Sequence, residues 1–319
     1  MPLFANPKKR IERYLKKYDT IKSIVVCGSY GRKSAIRALG YILGEELTVT
    51  MGINKNVLED VIVLDYNSSS AFPDINPDIV VITACETDEE AQKYFALANR
   101  ANYVVLNFND VPQEYAKYLQ NTNIITYGDE YPADYYFESE WETIEGCTGD
   151  IVGPDGFRIH AGHIKVIGYY NLRPLIMASA VGHLFQIPAE KIKEGLKSFT
   201  PIHGRMAPAR GLRGSIILDD SASGSKTSVK YGLQSIYGLD ANVRILVTNN
   251  FNNLRKVNYD LMSEILVLGE KPANQKFNSK VKFFSDDFEL VKYLSSRLET
   301  DALILLEIPL PEIIQSYIW

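Results

Sequence analysis

The chain of 319 residues lacks several features that would mark a special class of protein. It has no basic excess, since 34 Lys and Arg residues face 39 Asp and Glu residues, and a groove that follows nucleic-acid phosphates needs such an excess. No apolar run approaches the roughly 20 residues that cross a bilayer. The start of the chain is charged and has no apolar core after it, so it does not form a secretory signal. We therefore expect neither a nucleic-acid partner nor a membrane partner.

Cysteine and histidine are also scarce. Cys27, Cys85 and Cys147 are odd in number and lack the spacing of metal ligands. Such usage suits a reducing compartment, so we expect a cytoplasmic protein with buried, unpaired thiols. The 4 histidines are dispersed, and none accompanies Ser or Cys in a recognisable motif. This argues against hydrolysis of the Ser–His or Cys–His type.

What the chain does contain is an alternation of apolar runs and helical segments. We predict strands at 47–53, 61–65, 79–83, 103–108 and 124–127, and helices at 88–100 and 112–119. Such alternation is typical of a parallel sheet covered on both faces. Short aromatic and β-branched pieces predict a small antiparallel appendage over 133–166. A helical hairpin is predicted over 172–186 and 188–198.

A segment rich in Pro and Gly at 199–208 indicates a domain boundary. We predict a first domain over residues 1–200 and a smaller α/β domain over 201–319. Strands of the second domain are predicted at 215–219, 244–248, 265–268 and 302–306, and helices at 228–237 and 287–298. The predicted fold class is α/β.

The most informative segment is the turn after the first apolar strand. Gly28, Ser29, Tyr30 and Gly31 join that strand to a helix predicted over 35–43. Such a turn directs main-chain N–H groups and the positive end of a helix dipole at an anion. The first sheet is therefore predicted to be of P-loop type, with these four residues on a phosphate. A helix-capping turn without a ligand is the alternative.

The residues after the turn leave two alignments open. A nucleotide loop needs a lysine on the outer phosphates and a hydroxyl on magnesium. If the glycines set the alignment, Arg32 replaces the lysine and Lys33 replaces the hydroxyl. If the cation sets it, Lys33 and Ser34 are the Lys-Ser pair, and Arg32 occupies a glycine position. The first alignment is favoured, because a Cβ in the tight turn costs more than a rearranged side chain.

Four segments, in this order, resemble the Mur ligase family, the muramyl-peptide ligases and folylpolyglutamate synthase. The turn 28–31 is similar to the start of the family's Gly-Thr/Ser-x-Gly-Lys-Thr loop. The strands at 78–83 and 103–110 resemble a pair that ends in an Asn-x-Asp turn. A Gly-x-x-Asn-x-x-Asn segment of the family is resembled by residues 168–171 together with 187–188. The hinge and first strand of its C-terminal domain are resembled by residues 204–206 and 218–221.

The resemblance implies a central ATP-binding domain followed by a Rossmann-like C-terminal domain. The family joins a carboxylate to an amine through an acyl phosphate, so ATP, Mg2+ and a small carboxylate, amino-acid or peptide substrate of peptidoglycan synthesis are expected. The first strand begins near residue 22, so the family's N-terminal UDP-sugar domain is expected to be absent.

The resemblance also implies roles for particular residues. Those implied in catalysis are Arg32, Lys33 and Asp65, and those implied on magnesium are Ser34 and Asp65. Those implied on the nucleotide, besides residues 28–34, are Asn171, Arg205 and Asp220. Asp65 ends an apolar strand and is followed by serines, where a carboxylate is a suitable ligand for a hard cation.

Each assignment has an alternative. Asp65 is equally suited to cap a turn at the end of its strand. Arg205 is alternatively a surface residue without a ligand, and Asp220 is alternatively the N-cap of a helix. Because Arg32 and Lys33 alter the loop, a catalytically impaired nucleotide-binding protein or scaffold is the alternative to an active ligase. A nucleotide-binding subunit that acts only with a partner chain is a third hypothesis.

Overall fold

The computed structural model describes residues 12, 14–15, 17, 20–51, 59–69, 74–222, 226–299 and 301–310. The chain divides into two compact units. The first consists of Met1–Glu140, Thr148–Ile164 and Leu172–Phe199. The second consists of Trp141–Cys147, Lys165–Asn171 and Thr200–Trp319. Two short segments before residue 200 thus group with the second unit.

The first unit is built on a six-stranded parallel sheet. Its strands are β1 Lys22–Cys27, β2 Val49–Met51, β3 Val61–Tyr66, β4 Ile79–Ile82, β5 Tyr103–Asn107 and β6 Ile124–Tyr127. They lie in the order β2-β3-β1-β4-β5-β6, with every neighbouring pair parallel. Strand β1 is central: β2 and β3 lie on one side of it, and β4, β5 and β6 lie on the other. The loop after β1 therefore lies at the topological switch point, where open α/β sheets bind their ligands.

The helices of this unit with defined bounds are α1 Arg32–Leu43, α2 Asp88–Ala98, α3 Tyr169–Leu184 and α4 Ala189–Ser198. Helix α2 buries Tyr94 and Phe95 in the core with strand residues such as Val25 and Val80. Helices α1 and α4 approach closely, because a Cβ on Gly195 would lie only 2.8 Å from the Tyr41 carbonyl oxygen.

Several predicted bounds need correction. Helix α1 begins at Arg32 rather than at 35, because Gly31 ends the turn and acts as its N-cap. The helix predicted at 112–119 is a 3-10 segment, Gln113–Tyr118. The strand predicted at 47–53 is Val49–Met51, and residues 52 and 53 lie outside the described residues.

A three-stranded sheet forms the predicted appendage. Its strands are β7 Tyr136–Thr143, β8 Gly146–Val152 and β9 Arg158–Ile164, in that order. The two residues between β7 and β8 permit only antiparallel pairing. Asp150 of β8 accepts hydrogen bonds from Arg158 at 2.6 Å and from His160 at 2.8 Å, so ion pairs link the strands on the solvent side.

The second unit contains a second six-stranded sheet. Its strands are β10 Ala207–Arg210, β11 Ile216–Asp219, β12 Val243–Thr248, β13 Glu264–Leu268, β14 Val281–Phe284 and β15 Ala302–Leu306. The order is β10-β11-β15-β12-β13-β14, and only β10 is antiparallel to its neighbour. Helices α5 Lys226–Gly238 and α6 Asp287–Arg297 pack into two separate apolar clusters.

Strands β10 and β14 were not predicted. Both are edge strands of four residues. Strand β10 contains Pro208, which a sheet tolerates at an edge, and neither strand has the buried apolar run that marks β11, β12 and β15. The α/β class, with a P-loop-type parallel sheet before a second, Rossmann-like α/β sheet, is confirmed. Within the parts of the chain that the structure describes, no helix combines the length and apolar character that a membrane span requires.

Candidate phosphate-binding site

The loop between β1 and α1 has two positions that require glycine. Gly28 has φ 145° and Gly31 has φ 82°. A Cβ on Gly28 would lie 2.1 Å from Thr83 Oγ1 and 2.9 Å from the Ala84 nitrogen. A larger residue at position 28 would therefore strain the backbone and displace the end of β4.

The first turn of α1 presents main-chain donors. Gly31 is the N-cap and has no side chain with which to cap the helix. The N–H groups of Arg32, Lys33 and Ser34 belong to this turn, where helix geometry provides no intrahelical acceptor. Together with the helix dipole, these donors form an anion-attracting surface.

Side chains from β4 and α2 hold the loop in this shape, and the sequence did not indicate them. Thr83 Oγ1 donates to the Cys27 carbonyl at 3.2 Å and also to the Tyr30 carbonyl. Ser29 donates through its N–H to the Ala84 carbonyl at 3.0 Å and through its hydroxyl to Glu90 Oε2 at 2.7 Å. The amide and hydroxyl of Ser29 are thus engaged within the protein, and its contribution here is to the shape of the loop.

Arg32 and Asp65, both predicted site residues, are brought together. Arg32 Nε donates to Asp65 Oδ1 at 2.7 Å, and Arg32 Nη1 donates to the Gly28 carbonyl. The register of the parallel sheet explains the contact, since Asp65 pairs with Val26 near the end of β1. The side chain of Arg32 is 18% exposed and that of Asp65 43%. Lys33 is exposed and Ser34 half-buried.

A buried ion cluster lies beside the ends of β5 and β6. Arg173 of α3 donates to Asp110 at 2.5 Å and to both carboxylate oxygens of Asp129, at 2.7 and 2.6 Å. Asn107 donates to Asp110 at 3.1 Å and to the Thr83 carbonyl at 2.8 Å. The turn 107–110 was predicted, whereas Arg173 was missed because a lone Arg within an apolar run carries no local signal.

The other predicted nucleotide residues belong to the second unit. Asn171 Nδ2 donates to the Ile167 carbonyl at 2.7 Å. Asp220 is buried, and its N–H donates to the Leu306 carbonyl at 2.8 Å. Arg205 is half-buried. Its N–H donates to the Ile202 carbonyl and closes a turn over residues 202–205. The three assignments stay predictions.

The second sheet also gathers polar groups at the carboxyl ends of its strands. Asp219 of β11 lies 3.1 Å from His203 Nδ1. Glu307, after β15, accepts from Asn253 Nδ2 at 2.8 Å. Burial raises the pKa of the Glu307 carboxyl, and its Oε1 has no hydrogen-bond partner within the described part of the chain. Sequence reasoning named Asp219 and Asp220 here but missed Glu307.

Other predicted features have simpler outcomes. The N-cap of α2 is Thr87, which accepts from the Glu90 N–H at 3.3 Å, and Asp88 lies in the first turn. All three cysteines are buried and unpaired within the described chain. Burial raises the pKa of Cys85 and Cys147 to about 12, so these thiols are poor nucleophiles. Ser70, one of the serines that follow Asp65, and residues 223–225, which follow shortly after Asp220, lie outside the described residues.

Known proteins resemble this chain in sequence and in fold. No protein-family model matches the chain. UDP-N-acetylmuramate–L-alanine ligase of Salinibacter ruber is 26% identical over 224 residues, 62% of this chain and 46% of that protein. The crystal structure of MurF ligase from Thermotoga maritima in complex with ADP has a TM-score of 0.77 at 15% identity, covering 98% of this chain and 81% of that one. Folylpolyglutamate synthase of Mycobacterium tuberculosis, solved with ADP and AMPPCP, has a TM-score of 0.69 at 11% identity, covering 94% and 92%.

A parallel sheet with a glycine loop after its central strand, followed by a second α/β sheet, defines a P-loop-type α/β protein with two units. Its relatives by sequence and its neighbours by structure are Mur ligases. The chain is therefore related to the Mur ligase family, as the sequence motifs indicated. It spans between 21% and 50% of the length of the curated relatives that it matches.

Proposed function

We propose that this protein is an ATP-dependent ligase that joins a carboxylate to an amine through an acyl phosphate, in the synthesis of cell-wall peptides. The observation that carries the proposal is the loop 28–31, which precedes a helix N-terminus at the switch point of a sheet shared with Mur ligases. Residues 1–200 then supply the nucleotide-binding domain and residues 201–319 the C-terminal domain.

The chemistry of the first unit supports binding of a nucleotide tail. The N–H groups of the first turn of α1 donate to phosphate oxygens, and Arg32 and Lys33 add positive charge beside them. A guanidinium carries five N–H groups, and within the described part of the chain the Nε and Nη1 atoms of Arg32 contact Asp65 and Gly28. In this proposal Nη2 donates to the ligand. In this proposal these groups hold the transferred phosphoryl group in place.

The roles predicted for Asn171, Arg205 and Asp220 stay part of the proposal. Asn171 offers an amide donor and acceptor for a purine edge, Arg205 offers a cation for the phosphates, and Asp220 a carboxylate. The proposed substrates are a nucleotide, a small carboxylic acid and an amino acid or peptide. A cytoplasmic location agrees with substrates of this kind.

The residues present do not fit the magnesium site that the family implies. Mg2+ requires near-octahedral oxygen ligands at about 2.1 Å. Of the two predicted ligands, Asp65 Oδ1 accepts from the Arg32 guanidinium at 2.7 Å, and Lys33 precedes Ser34 in the same turn. A dication would have to share the Asp65 carboxylate with the Arg32 guanidinium. No step of the proposed reaction is therefore assigned to a metal at Asp65.

The test is phosphate release from ATP by the purified chain. With pairs of muramyl-peptide carboxylates and amino acids, we expect release only when both partners are present, together with the amide product by mass spectrometry. Gly28→Ala should abolish it. Gly156→Ala is the matched control, because Gly156 also has a positive φ, 78°, but nothing lies within 4 Å of an added Cβ.

The Arg32–Asp65 ion pair also favours a second function, a catalytically impaired nucleotide-binding protein. This alternative predicts ATP binding without phosphate release for every pair of substrates. It also predicts that the double change Arg32→Lys and Lys33→Thr introduces ATP hydrolysis. An absence of ATP binding in the wild-type chain would contradict both functions.

A further inference from the structure

We infer that the Arg32 guanidinium, anchored by Asp65, replaces the divalent cation in this loop, so that the chain binds a nucleoside triphosphate without Mg2+. The inference rests on the proposed nucleotide site and concerns how that site neutralises phosphate charge. It follows from the misfit between the residues present and a magnesium site.

The first support is the position of the guanidinium. Arg32 is anchored on two sides, by the Asp65 carboxylate at 2.7 Å and by the carbonyl of Gly28. Both anchors belong to the edge of the sheet from which the loop emerges. The charge is thus fixed beside the first turn of α1, where the main-chain donors lie.

The second support is the charge balance of the loop. Arg32 and Lys33 are adjacent cations, Asp65 neutralises Arg32, and Glu90 places a second carboxylate on the Ser29 hydroxyl at 2.7 Å. Since two acids balance the two cations, a polyanion is attracted here by the helix dipole and by the fixed guanidinium. A dication on Asp65 would meet the Arg32 guanidinium, which lies 2.7 Å from the same carboxylate, and like charges at such distances repel.

The third support is the hydrogen bond that Asp65 accepts from Arg32. A carboxylate that ligates magnesium must present its oxygens to the metal, whereas here one oxygen accepts a charge-assisted hydrogen bond from Arg32. Asp65 is therefore a positioning residue, which acts through Arg32. This role differs from a metal ligand in one measurable respect: removal of Asp65 should weaken nucleotide binding equally with and without magnesium.

The test is calorimetry of the non-hydrolysable analogue AMPPNP on the full chain, in EDTA and in Mg2+. For the wild-type chain we expect a Kd that differs by less than about threefold between the two conditions. The variant Asp65→Asn should raise the Kd by about tenfold in both conditions. Asp74→Asn is the matched control, since Asp74 forms a comparable ion pair with Arg100 at 2.7 Å, and its Kd should be unchanged.

The double variant Arg32→Lys and Lys33→Thr tests whether the loop binds magnesium once the guanidinium is removed. It removes the guanidinium and restores a hydroxyl, so its affinity should become magnesium-dependent by about tenfold or more. Wild-type binding that requires Mg2+, or an Asp65→Asn effect confined to the magnesium condition, would overturn the inference and leave the proposed function standing. Failure to bind in either condition would overturn both, and circular dichroism of each variant checks that it is folded.

Discussion

At the scale of single residues, the glycine loop depends on one contact with the neighbouring strand. Gly28 has a backbone conformation that L residues rarely adopt, and the Thr83 hydroxyl fills the space that a Cβ would need. The same hydroxyl holds the loop through its hydrogen bonds to the Cys27 and Tyr30 carbonyls. The conformation of the loop 28–31 and the position of Thr83 after β4 therefore depend on each other.

Gly28→Ala is expected to lower the free energy of unfolding by about 2–4 kcal/mol, the sum of a strained φ and a steric overlap. Gly156→Ala has the strain without the overlap and should cost about 1–2 kcal/mol. Urea denaturation followed by circular dichroism measures both. Equal losses for the two variants would show that the Thr83 contact has no energetic weight.

A second residue-scale prediction concerns Glu307. Its pKa is raised above the ordinary 4.5 by burial, so the folded state favours the protonated carboxyl. The contribution of Glu307 to stability is then fully present below pH 4.5 and is lost as the pH rises through the folded pKa. Glu307→Gln should therefore raise the unfolding free energy at pH 7.5 by up to about 1 kcal/mol, the scale of a buried unpaired acceptor.

The measurement is thermal denaturation of both proteins between pH 4 and 8. The advantage of Glu307→Gln should shrink as the pH falls and disappear below pH 4.5, the ordinary pKa of the group. An advantage that is constant with pH would mean that the carboxyl charge is not its cause.

At the scale of elements, an ion cluster fixes helix α3 to the sheet. Arg173 is 4% exposed and pairs with Asp110, which is 8% exposed. Removing Arg173 leaves the buried Asp110 carboxylate without its cationic partner, and the neutral amide of Asn107 only partly offsets this. Arg173→Met should therefore cost about 3–5 kcal/mol.

Asp110→Asn and the double variant complete a thermodynamic cycle. Because the double variant has no unpaired charge at this contact, its loss should be smaller than the sum of the single losses by about 1–3 kcal/mol. Chemical denaturation provides the three values. Strict additivity would contradict a direct interaction between the two side chains.

The contact between α1 and α4 gives a further prediction. A Cβ on Gly195 would lie 2.8 Å from backbone atoms of Tyr41 and Ile42, whereas one on Gly238, at the end of α5, would meet nothing within 4 Å. Gly195→Ala should destabilise the protein by about 1–3 kcal/mol. Gly238→Ala should leave it unchanged or raise the midpoint slightly, because Ala favours helix. A neutral Gly195→Ala would indicate that the two helices separate at little cost.

The sequence predicted elements well where local pattern decides them. The buried runs that became β1, β3, β4 and β5 were recognised, since parallel strands covered on both faces are continuously apolar. The edge strand β6 was recognised from its β-branched residues, although it is only partly buried. The edge strands β10 and β14 were missed because half-buried strands of four residues have no such run. Helix α1 began earlier than predicted because its first turn is polar.

The candidate site was predictable only in part, for a related reason. The glycine loop and Asp65 carry local signals, but the Arg32–Asp65 contact joins residues 33 positions apart. Thr83, Glu90 and Arg173 act through contacts that only the folded sheet creates. A single sequence contains the residues of such contacts but not their pairing.

At the scale of the whole molecule, the two units do not follow one another simply along the chain. Ile167 is fully buried in the core of the second unit, with Met206, Leu218 and Leu233. A boundary drawn at residue 200 would remove it. The domains proposed as 1–200 and 201–319 are therefore not expected to be separable at that point.

A fragment of residues 200–319 should be less stable than one of residues 165–319. The loss of Ile167 removes about 2–3 kcal/mol of apolar burial and leaves a cavity beside α5. Thermal denaturation and binding of the dye ANS measure the difference, with the longer fragment as the control. Equal midpoints and equal dye binding would show that the early segment is dispensable.

The same arrangement has a consequence during translation. Ile167 leaves the ribosome long before Leu303 and Leu305 of β15, which belong to the same core. At elongation rates of roughly 5–20 residues per second, that delay is on the order of 10 s. Nascent chains must keep this surface from aggregating throughout that interval, and any product that terminates before β15 leaves it permanently uncovered.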